Sequence, residues 1–223
     1  MDKLLSLVAI TSSLQLDDLT YTEGKISRQN DPAVAAFGRD VKSAYHAHGI
    51  RRDLCWCLLM NAELPACNVI GAHLFKWQWH ERIHVLGLSD INDVGNGLPL
   101  WKPIEWAYDT SRLCFVYDKF HGNLVAHVLD SSILGIRLVQ KGRELMGPAW
   151  CAPRSLFRAL IYQDVHMQPL TFAPNSLQRP IKRILNFHAR QARKYAILHG
   201  WHLHWPDPLW DFEDFLTEGL EVS

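Results

Sequence analysis

The sequence lacks the features that define several broad classes of protein. Its five cysteines are an odd number in a chain of 223 residues and show no regular spacing, so no disulfide framework is expected and a reducing, intracellular compartment is favoured. Cys-x-x-Cys pairs are absent, which argues against structural zinc. No window reaches the ~18 apolar residues that span a bilayer. The short apolar run after Met1 soon meets Asp17 and Asp18, so neither a signal peptide nor a membrane partner is expected.

The chain also lacks net charge, with 23 basic and 23 acidic residues, but the charges are unevenly distributed. Residues 136–206 carry eleven basic and two acidic side chains, whereas residues 207–223 carry six acidic and no basic ones. A basic segment is typical of proteins that bind polyanions such as DNA. The alternative is a solvated face that the acidic tail balances. The charge pattern alone leaves both interpretations open.

With 48% hydrophobic residues, the chain can bury a core, as one domain with extensions or as two small domains. Apolar periodicity, turn residues and cap residues predict the order of helices and strands. Asn96-Gly97 is interpreted as a turn because glycine tolerates a positive φ. The predicted elements are a helix over residues 32–48, strands over 54–60 and 68–75 joined by a polar turn at 61–65, and a loop over 76–95, with a short helix inside that loop as an alternative. They continue with a short strand after Gly97, a helix from Pro103 to about Tyr108, a hairpin of 113–116 and 124–129, and a long helix over 177–199.

The long helix predicted over residues 177–199 is amphipathic. Its apolar residues gather on one side, and His188 at their centre is expected to be a hydrogen-bonded core histidine. No acidic residue lies on the opposite side, so the usual i,i+4 ion pairs are missing, which favours a DNA-facing surface. A docking helix with a solvated outer face is the alternative. The basic residues on that side, within an arc of about 120°, are Arg179, Lys182, Arg183, Arg190, Arg193 and Lys194.

Two motifs carry the strongest functional signal. The first, Cys67-Asn-Val-Ile-Gly-Ala-His73, is an apolar strand that ends in a histidine. The second, Asn96-Gly-Leu-Pro-Leu-Trp-Lys-Pro-Ile-Glu105-Trp-Ala-Tyr-Asp109, leads through a short strand into a helix started by proline. Over about residues 55–130 this layout resembles the HNH family, the ββα-metal finger or His-Me finger endonucleases. The closest pattern is a fungal and oomycete subgroup that includes Crinkler-type effector domains acting in host nuclei.

The resemblance implies an α+β fold in which a ββα-metal finger core is flanked by an N-terminal helix and a C-terminal amphipathic basic helix. It also suggests how the chain is divided. The expected parts are an N-terminal helical extension at residues 1–54, an HNH-like nuclease core at 55–130, a C-terminal helical extension with the basic helix at 131–206, and an acidic tail at 207–223.

The resemblance further implies a metal-dependent endonuclease that acts on DNA, expected to be double-stranded. By the match to the family, His73 is the general base, and Asn96 holds the finger and its histidine in place. Asn92 competes with Asn96 for that position, and the strand-like Gly-Leu-Pro-Leu after Asn96 favours the latter. Histidine suits the task because its reference pKa is about 6.5. Lys76 and Arg112 are candidate phosphate contacts, with an exposed solubilising role as the alternative.

The expected metal is Mg²⁺ or Mn²⁺, with Glu105, Asp109 and His73 as candidate ligands. Mg²⁺ prefers oxygen ligands and keeps several waters, so one or two protein ligands suffice. Many family members have a histidine in the helix and an aspartate before the first histidine, whereas this chain has Glu105 and Ala72 there. These departures keep an alternative open, in which the chain is a catalytically weakened HNH-fold module that binds nucleic acid or protein. The sequence leaves the oligomeric state open.

Overall fold

The computed structural model describes residues 32–49, 53–118, 122–139, 159–173 and 175–201. The acidic tail at 207–223 and most of the N-terminal extension therefore lie outside the described residues. Helices and short strands are mixed along the chain, which is compatible with the predicted α+β class. The α-helices and strands are α1 Pro32–Ala44, β1 Leu54–Cys57, β2 Ala62–Pro65, β3 Val69–His73, β4 Gly97–Trp101, α2 Lys102–Asp109, β5 Leu113–Asp118, β6 Asn123–Val128, α3 Tyr162–Val165 and α4 Lys182–Leu198. Short 3₁₀ helices cover Trp77–Leu86, which lies within the predicted loop over 76–95, Val94–Asn96 and Ser131–Ile133.

Within the described ranges, the strands form three separate antiparallel pairs, β1 with β2, β3 with β4, and β5 with β6. The predicted hairpin at 113–116 and 124–129 is confirmed by the last pair, with Leu113 opposite Val128. The predicted turn at 61–65 is wrong, because residues 62–65 form β2 and pair with β1. Ala, Glu and Pro are depleted in strands, so the local sequence gives little sign of β2.

The second pair leads directly into a helix. β3 runs antiparallel to β4 from Val69 opposite Trp101 to His73 opposite Gly97, and α2 begins at the next residue, Lys102. Pro103 lies in the first turn of α2, where its missing N–H costs nothing. His73 is the last residue of β3, as predicted. The chain order from residue 69 to 109 is therefore strand, strand, helix, with a long connection between the strands.

Helix α1 lies against the β3–β4 pair at unusually short distance. A Cβ atom on Gly71 would lie 2.8 Å from the Cα of Gly38, and one on Gly97 would lie 2.4 Å from Cγ2 of Val41. Gly97 has a φ of −137°, which any residue adopts, so the positive φ that glycine tolerates in such turns is not observed there. The close approach of α1 requires glycine at these positions.

Helix α4 begins at Lys182, five residues later than predicted. Pro180 disfavours a helical conformation of the residue before it, so Arg179 and Leu177 precede the helix rather than extend its faces. Leu177 is 95% exposed. The helix packs on β5 and buries Ile184, Leu185, Phe187, His188, Ala189, Ala192 and Ala196.

A search of the described residues finds no helix with the length and apolar character needed to span a bilayer.

Candidate active site

His73 occupies a half-buried position at the end of β3, between aromatic rings. Its imidazole stacks on Phe37 of α1, with ring centroids 3.7 Å apart and planes 9° apart. The ring also makes a T-shaped contact with Trp77, with centroids 6.3 Å apart and planes 71° apart. Burial lowers the pKa of His73 from 6.5, although a hydrogen bond with Asn92 and the negative charges of Asp109 and Asp90 oppose this shift. The imidazole is therefore neutral near pH 7, the form that accepts a proton.

The two asparagines that the sequence left in competition make different contacts. Asn96 is fully buried, and its Oδ1 accepts a hydrogen bond from the backbone N–H of Phe75 at 2.7 Å. Its Nδ2 donates to the carbonyls of Ile91 at 2.8 Å and Phe75 at 3.3 Å. Asn92 instead reaches the imidazole itself, with 3.2 Å between its Oδ1 and the Nε2 of His73. Asn96 fixes the backbone on both sides of the site, and Asn92 contacts the ring.

Three side chains join the C-terminal end of α2 to neighbouring segments. The hydroxyl of Tyr108 donates to the carbonyl of Leu74 at 3.0 Å, directly after His73. The ammonium of Lys76 donates to the carbonyl of Asp109. A cation at this end of a helix is stabilised by the unpaired carbonyls. His188 of α4 donates from Nε2 to the carbonyl of Tyr108 at 3.0 Å. These contacts hold Asp109 close enough for its charge to act on His73.

His188 is the hydrogen-bonded core histidine that the helical pattern predicts. It is 3% exposed, and its ring stacks on Tyr108 with centroids 3.6 Å apart. Burial, reinforced by the positive charge of Lys76, lowers its pKa to about 3. A neutral His188 thus supports the helix that carries Glu105 and Asp109.

Glu105 and Asp109 are both half-buried residues and lie one turn apart on α2, so they share a side of the helix. Carboxylate oxygens are the ligands that Mg²⁺ prefers. Among the described residues, no group of three or more His, Cys, Asp or Glu is placed to hold a metal ion. The donors here therefore fit a hydrated ion with one or two carboxylate ligands better than a closed cage. The role of these two residues and of His73 as metal ligands stays a prediction.

Two of the candidate phosphate contacts also have partners within the protein. Lys76 donates to Asp109 as described, and its ammonium lies 5.7 Å from the ring centroid of Trp79. The guanidinium of Arg112 forms an ion pair with the buried carboxylate of Asp130. It also lies 5.4 Å from the ring centroid of Trp106 and 5.2 Å from that of Trp201. A phosphate contact through either residue stays a prediction.

The basic residues predicted for the C-terminal helix fall into two groups. Arg179 precedes α4, stacks over Phe172 at 4.2 Å and donates to the carbonyl of Ser176 at 2.8 Å. The others lie on α4, where Lys182 sits 4.4 Å above the ring of Tyr117 and Lys194 is exposed. Half-buried positions are occupied by Arg183, Arg190 and Arg193.

Of the neighbours of His73, Phe37 is not recognised from the sequence, and Asn92 is considered only as the alternative to Asn96. Phe37 lies on a helix 36 residues earlier, and Asn92 lies in a connection 19 residues later. The Asp90-Ile-Asn-Asp run does signal a tight turn, since Asp and Asn side chains bond their own backbone. It does not signal that this turn folds back onto the end of β3.

The region that builds this site matches a known family. Residues 57–116 match the family model HNH_2, described as HNH endonuclease. The match includes β3, β4 and α2, with His73 and both asparagines. It suggests nuclease activity in general and, with it, a nucleic acid as substrate. Searches of curated proteins and of solved structures found no match.

Proposed function

We propose that this protein is an endonuclease that hydrolyses phosphodiester bonds of double-stranded DNA with the help of Mg²⁺ or Mn²⁺. The observation that carries the proposal is the environment of His73 within the region similar to HNH endonucleases. Its imidazole is neutral, hydrogen-bonded and subject to the charge of Asp109. That is the state a general base needs before it takes a proton.

In the proposed reaction, His73 takes a proton from a water molecule. The water oxygen forms a bond to phosphorus, the bond from phosphorus to the 3′ oxygen breaks, and the proton stays on the imidazole. Asn96 supports this step by holding the backbone after His73, and α1 supports it by covering one face of the ring. Glu105 and Asp109 would hold the metal ion, which as a Lewis acid stabilises the negative charge on the leaving 3′ oxygen.

We place the DNA along the basic residues of α4, with Arg179, Lys76 and Arg112 as further candidate contacts. Five basic residues on α4, Lys182, Arg183, Arg190, Arg193 and Lys194, support this placement. The helix is anchored to the site itself, because His188 on its buried face bonds the last turn of α2. DNA bound along α4 would therefore lie beside the helix that carries Glu105 and Asp109.

The decisive experiment compares plasmid cleavage by the wild-type chain and two histidine variants. We expect nicking with Mg²⁺ or Mn²⁺, its loss with EDTA, and a loss of at least about 100-fold in His73→Ala, since general-base catalysis typically contributes 10²–10⁴-fold. His84→Ala is the matched control, because His84 is exposed in the connection after β3. Equal rates for the wild type and His73→Ala would reject the assignment of His73.

The second candidate is a weakened HNH-fold module that binds nucleic acid without cleaving it. It is favoured by Glu105 and Ala72 at positions where many family members have histidine and aspartate, and by the lack of a three-ligand group among the described residues. Salt-sensitive DNA binding without cleavage under any divalent metal would support it. The resemblance to fungal and oomycete effector domains also suggests the nucleus as the place of action, which microscopy of a fluorescent fusion tests.

A further inference from the structure

The hydrogen bond between His73 and Asn92 has a defined donor and a defined acceptor. The atom of Asn92 that faces Nε2 of His73 is the carboxamide oxygen, at 3.2 Å. A carboxamide oxygen only accepts hydrogen bonds, so the proton in this contact belongs to Nε2. A neutral imidazole has one N–H and one bare nitrogen, which leaves the lone pair on Nδ1.

The loop that presents Asn92 is fixed on both sides. The carboxylate of Asp90 accepts a hydrogen bond from the backbone N–H of Asn92 at 2.8 Å. On the other side, the side chain of Asn96 donates to the carbonyl of Ile91 at 2.8 Å, and the Ile91 side chain is buried. The carboxylate of Asp93 then accepts from the N–H of Gly95 at 2.7 Å. Asn92 is therefore presented by a preformed turn.

The imidazole itself has little rotational freedom. Phe37 covers one face of the His73 ring at 3.7 Å, and Trp77 makes a T-shaped contact with it. With one nitrogen bonded to Asn92, a rotation of the ring would break both the stack and the hydrogen bond. The direction of Nδ1 is set by the same contacts, which is how partners around an active residue fix its orientation.

We propose that Asn92 is a positioning residue that holds His73 in the tautomer with the proton on Nε2, so that Nδ1 is the atom that accepts the proton from water. The base role rests on the proposed nuclease function. The hydrogen bond and the tautomer do not, and they can be measured without any cleavage. Asn92 then orients the ring of His73, and Asn96 orients the backbone near it.

The test uses two substitutions of Asn92 with opposite expected results. Asn92→Asp keeps an oxygen acceptor at the same place, whereas Asn92→Ala removes it. Ser89→Ala, at an exposed position of the same connection, is the matched control. The tautomer is measured by long-range ¹⁵N–¹H correlation spectra of the metal-free chain at neutral pH. We expect His73 to carry its proton on Nε2 in the wild type and in Asn92→Asp, and to lose this single protonation pattern in Asn92→Ala.

Cleavage kinetics supply the second measurement. We expect Asn92→Ala to lower kcat roughly 10- to 100-fold, as for other residues that orient an active imidazole, with KM within about twofold. Asn92→Asp should recover most of the lost kcat. Thermal unfolding of all variants shows whether a loss reflects misfolding, and the tautomer of each folded variant is compared with that of the control.

Either measurement can overturn the proposal. A wild-type His73 with its proton on Nδ1 contradicts it, and so does an Asn92→Ala variant with unchanged kcat. An Asn92→Asp variant as slow as Asn92→Ala contradicts it as well, because the acceptor would then have no effect. If the wild-type chain cleaves no DNA, the nuclease proposal fails, and the spectra alone decide the role of Asn92.

Discussion

At the scale of single residues, the candidate site depends on neutral polar groups that are buried and hydrogen-bonded. Asn96 and His188 are 0% and 3% exposed, and each bonds a backbone group within two residues of a proposed active residue. A buried polar group that loses its partner costs about 1–3 kcal/mol, so such groups tolerate few rearrangements. The orientation of His73 and of α2 is therefore fixed by hydrogen bonds of buried residues.

Stability should fall as the pH is lowered below 6.5, because buried histidines remain neutral in the folded protein. The pKa of His188 is lowered to about 3 and that of His127 to about 4, both mainly by burial. Between these values and the unfolded value near 6.5, the unfolded chain binds more protons, so acid favours unfolding. Between pH 7 and pH 5, each of these two histidines should lower the free energy of unfolding by about 2 kcal/mol.

The measurement is urea unfolding at pH 7, 6 and 5 for the wild type and His188→Gln. The variant should be less stable at pH 7, because the contacts with Tyr108 change, yet it should lose less stability on acidification. His84→Ala is the comparison, since His84 is exposed. The same pH dependence in the wild type and in His188→Gln would contradict the assigned shift.

At the scale of elements, the packing of α1 on the β3–β4 pair links the fold to the site. Gly97 allows α1 to approach, and Phe37 on the same helix stacks on His73. A side chain at residue 97 would push on Val41 and Phe37 together. The stability of this contact and the position of the base are therefore coupled.

Gly97→Ala should destabilise the protein and also reduce cleavage. Its Cβ would lie 2.4 Å from Val41 and 2.9 Å from Phe37, and overpacking of this kind costs about 1–3 kcal/mol. Displacement of Phe37 should move the His73 ring, so cleavage should fall at temperatures where the variant is still folded. Stability is measured by denaturant unfolding and cleavage on plasmid.

Gly135→Ala is the matched control for this substitution. A Cβ at residue 135 meets no atom within 4 Å, so the stability and the cleavage rate of this variant should stay near the wild-type values. A Gly97→Ala variant as stable as Gly135→Ala would show that α1 does not approach as closely as described.

The comparison of predicted and observed elements shows which signals are local. β3, β4, α2 and the β5–β6 hairpin follow from apolar runs, a proline at a helix start and turn residues, which act within a few positions. The sequence does not predict β2, because its strand character comes from its partner β1 rather than from its own residues. The late start of α4 was also missed, although Pro180 is a local signal against a helix through residues 177–179.

At the scale of the whole molecule, the uneven distribution of charge matters more for the binding of a polyanion than the net charge of zero does. Five basic residues lie on α4, a helix whose opposite face is buried against β5. The same helix supports the C-terminal end of α2 through His188. A polyanion bound along α4 would thus contact the helix that supports α2, which carries Glu105 and Asp109.

DNA binding should weaken steeply as the salt concentration rises. The steepness of this dependence should reflect the phosphate contacts made by α4. Each phosphate contact adds about 0.9 to the slope of log K against log salt, so Lys194→Ala should lower the slope by about that amount. Binding is measured by fluorescence anisotropy in EDTA to prevent cleavage. Arg39→Ala is the control, as an exposed arginine on α1, and an equal change in both variants would argue against a specific role of α4.

Local sequence signals predict the strand that ends in His73, the strand and helix that follow Asn96, and the similarity to HNH endonucleases, because each depends on residues that are neighbours in the chain. The folded structure is needed to show that Asn92 contacts the ring while Asn96 bonds the backbone, that Gly97 is needed for helix approach, and that His188 supports α2. The reason is distance along the chain. The contacts of His73 with Asn92 and of His188 with Tyr108 join residues 19 and 80 positions apart, and no local pattern encodes which distant segments meet.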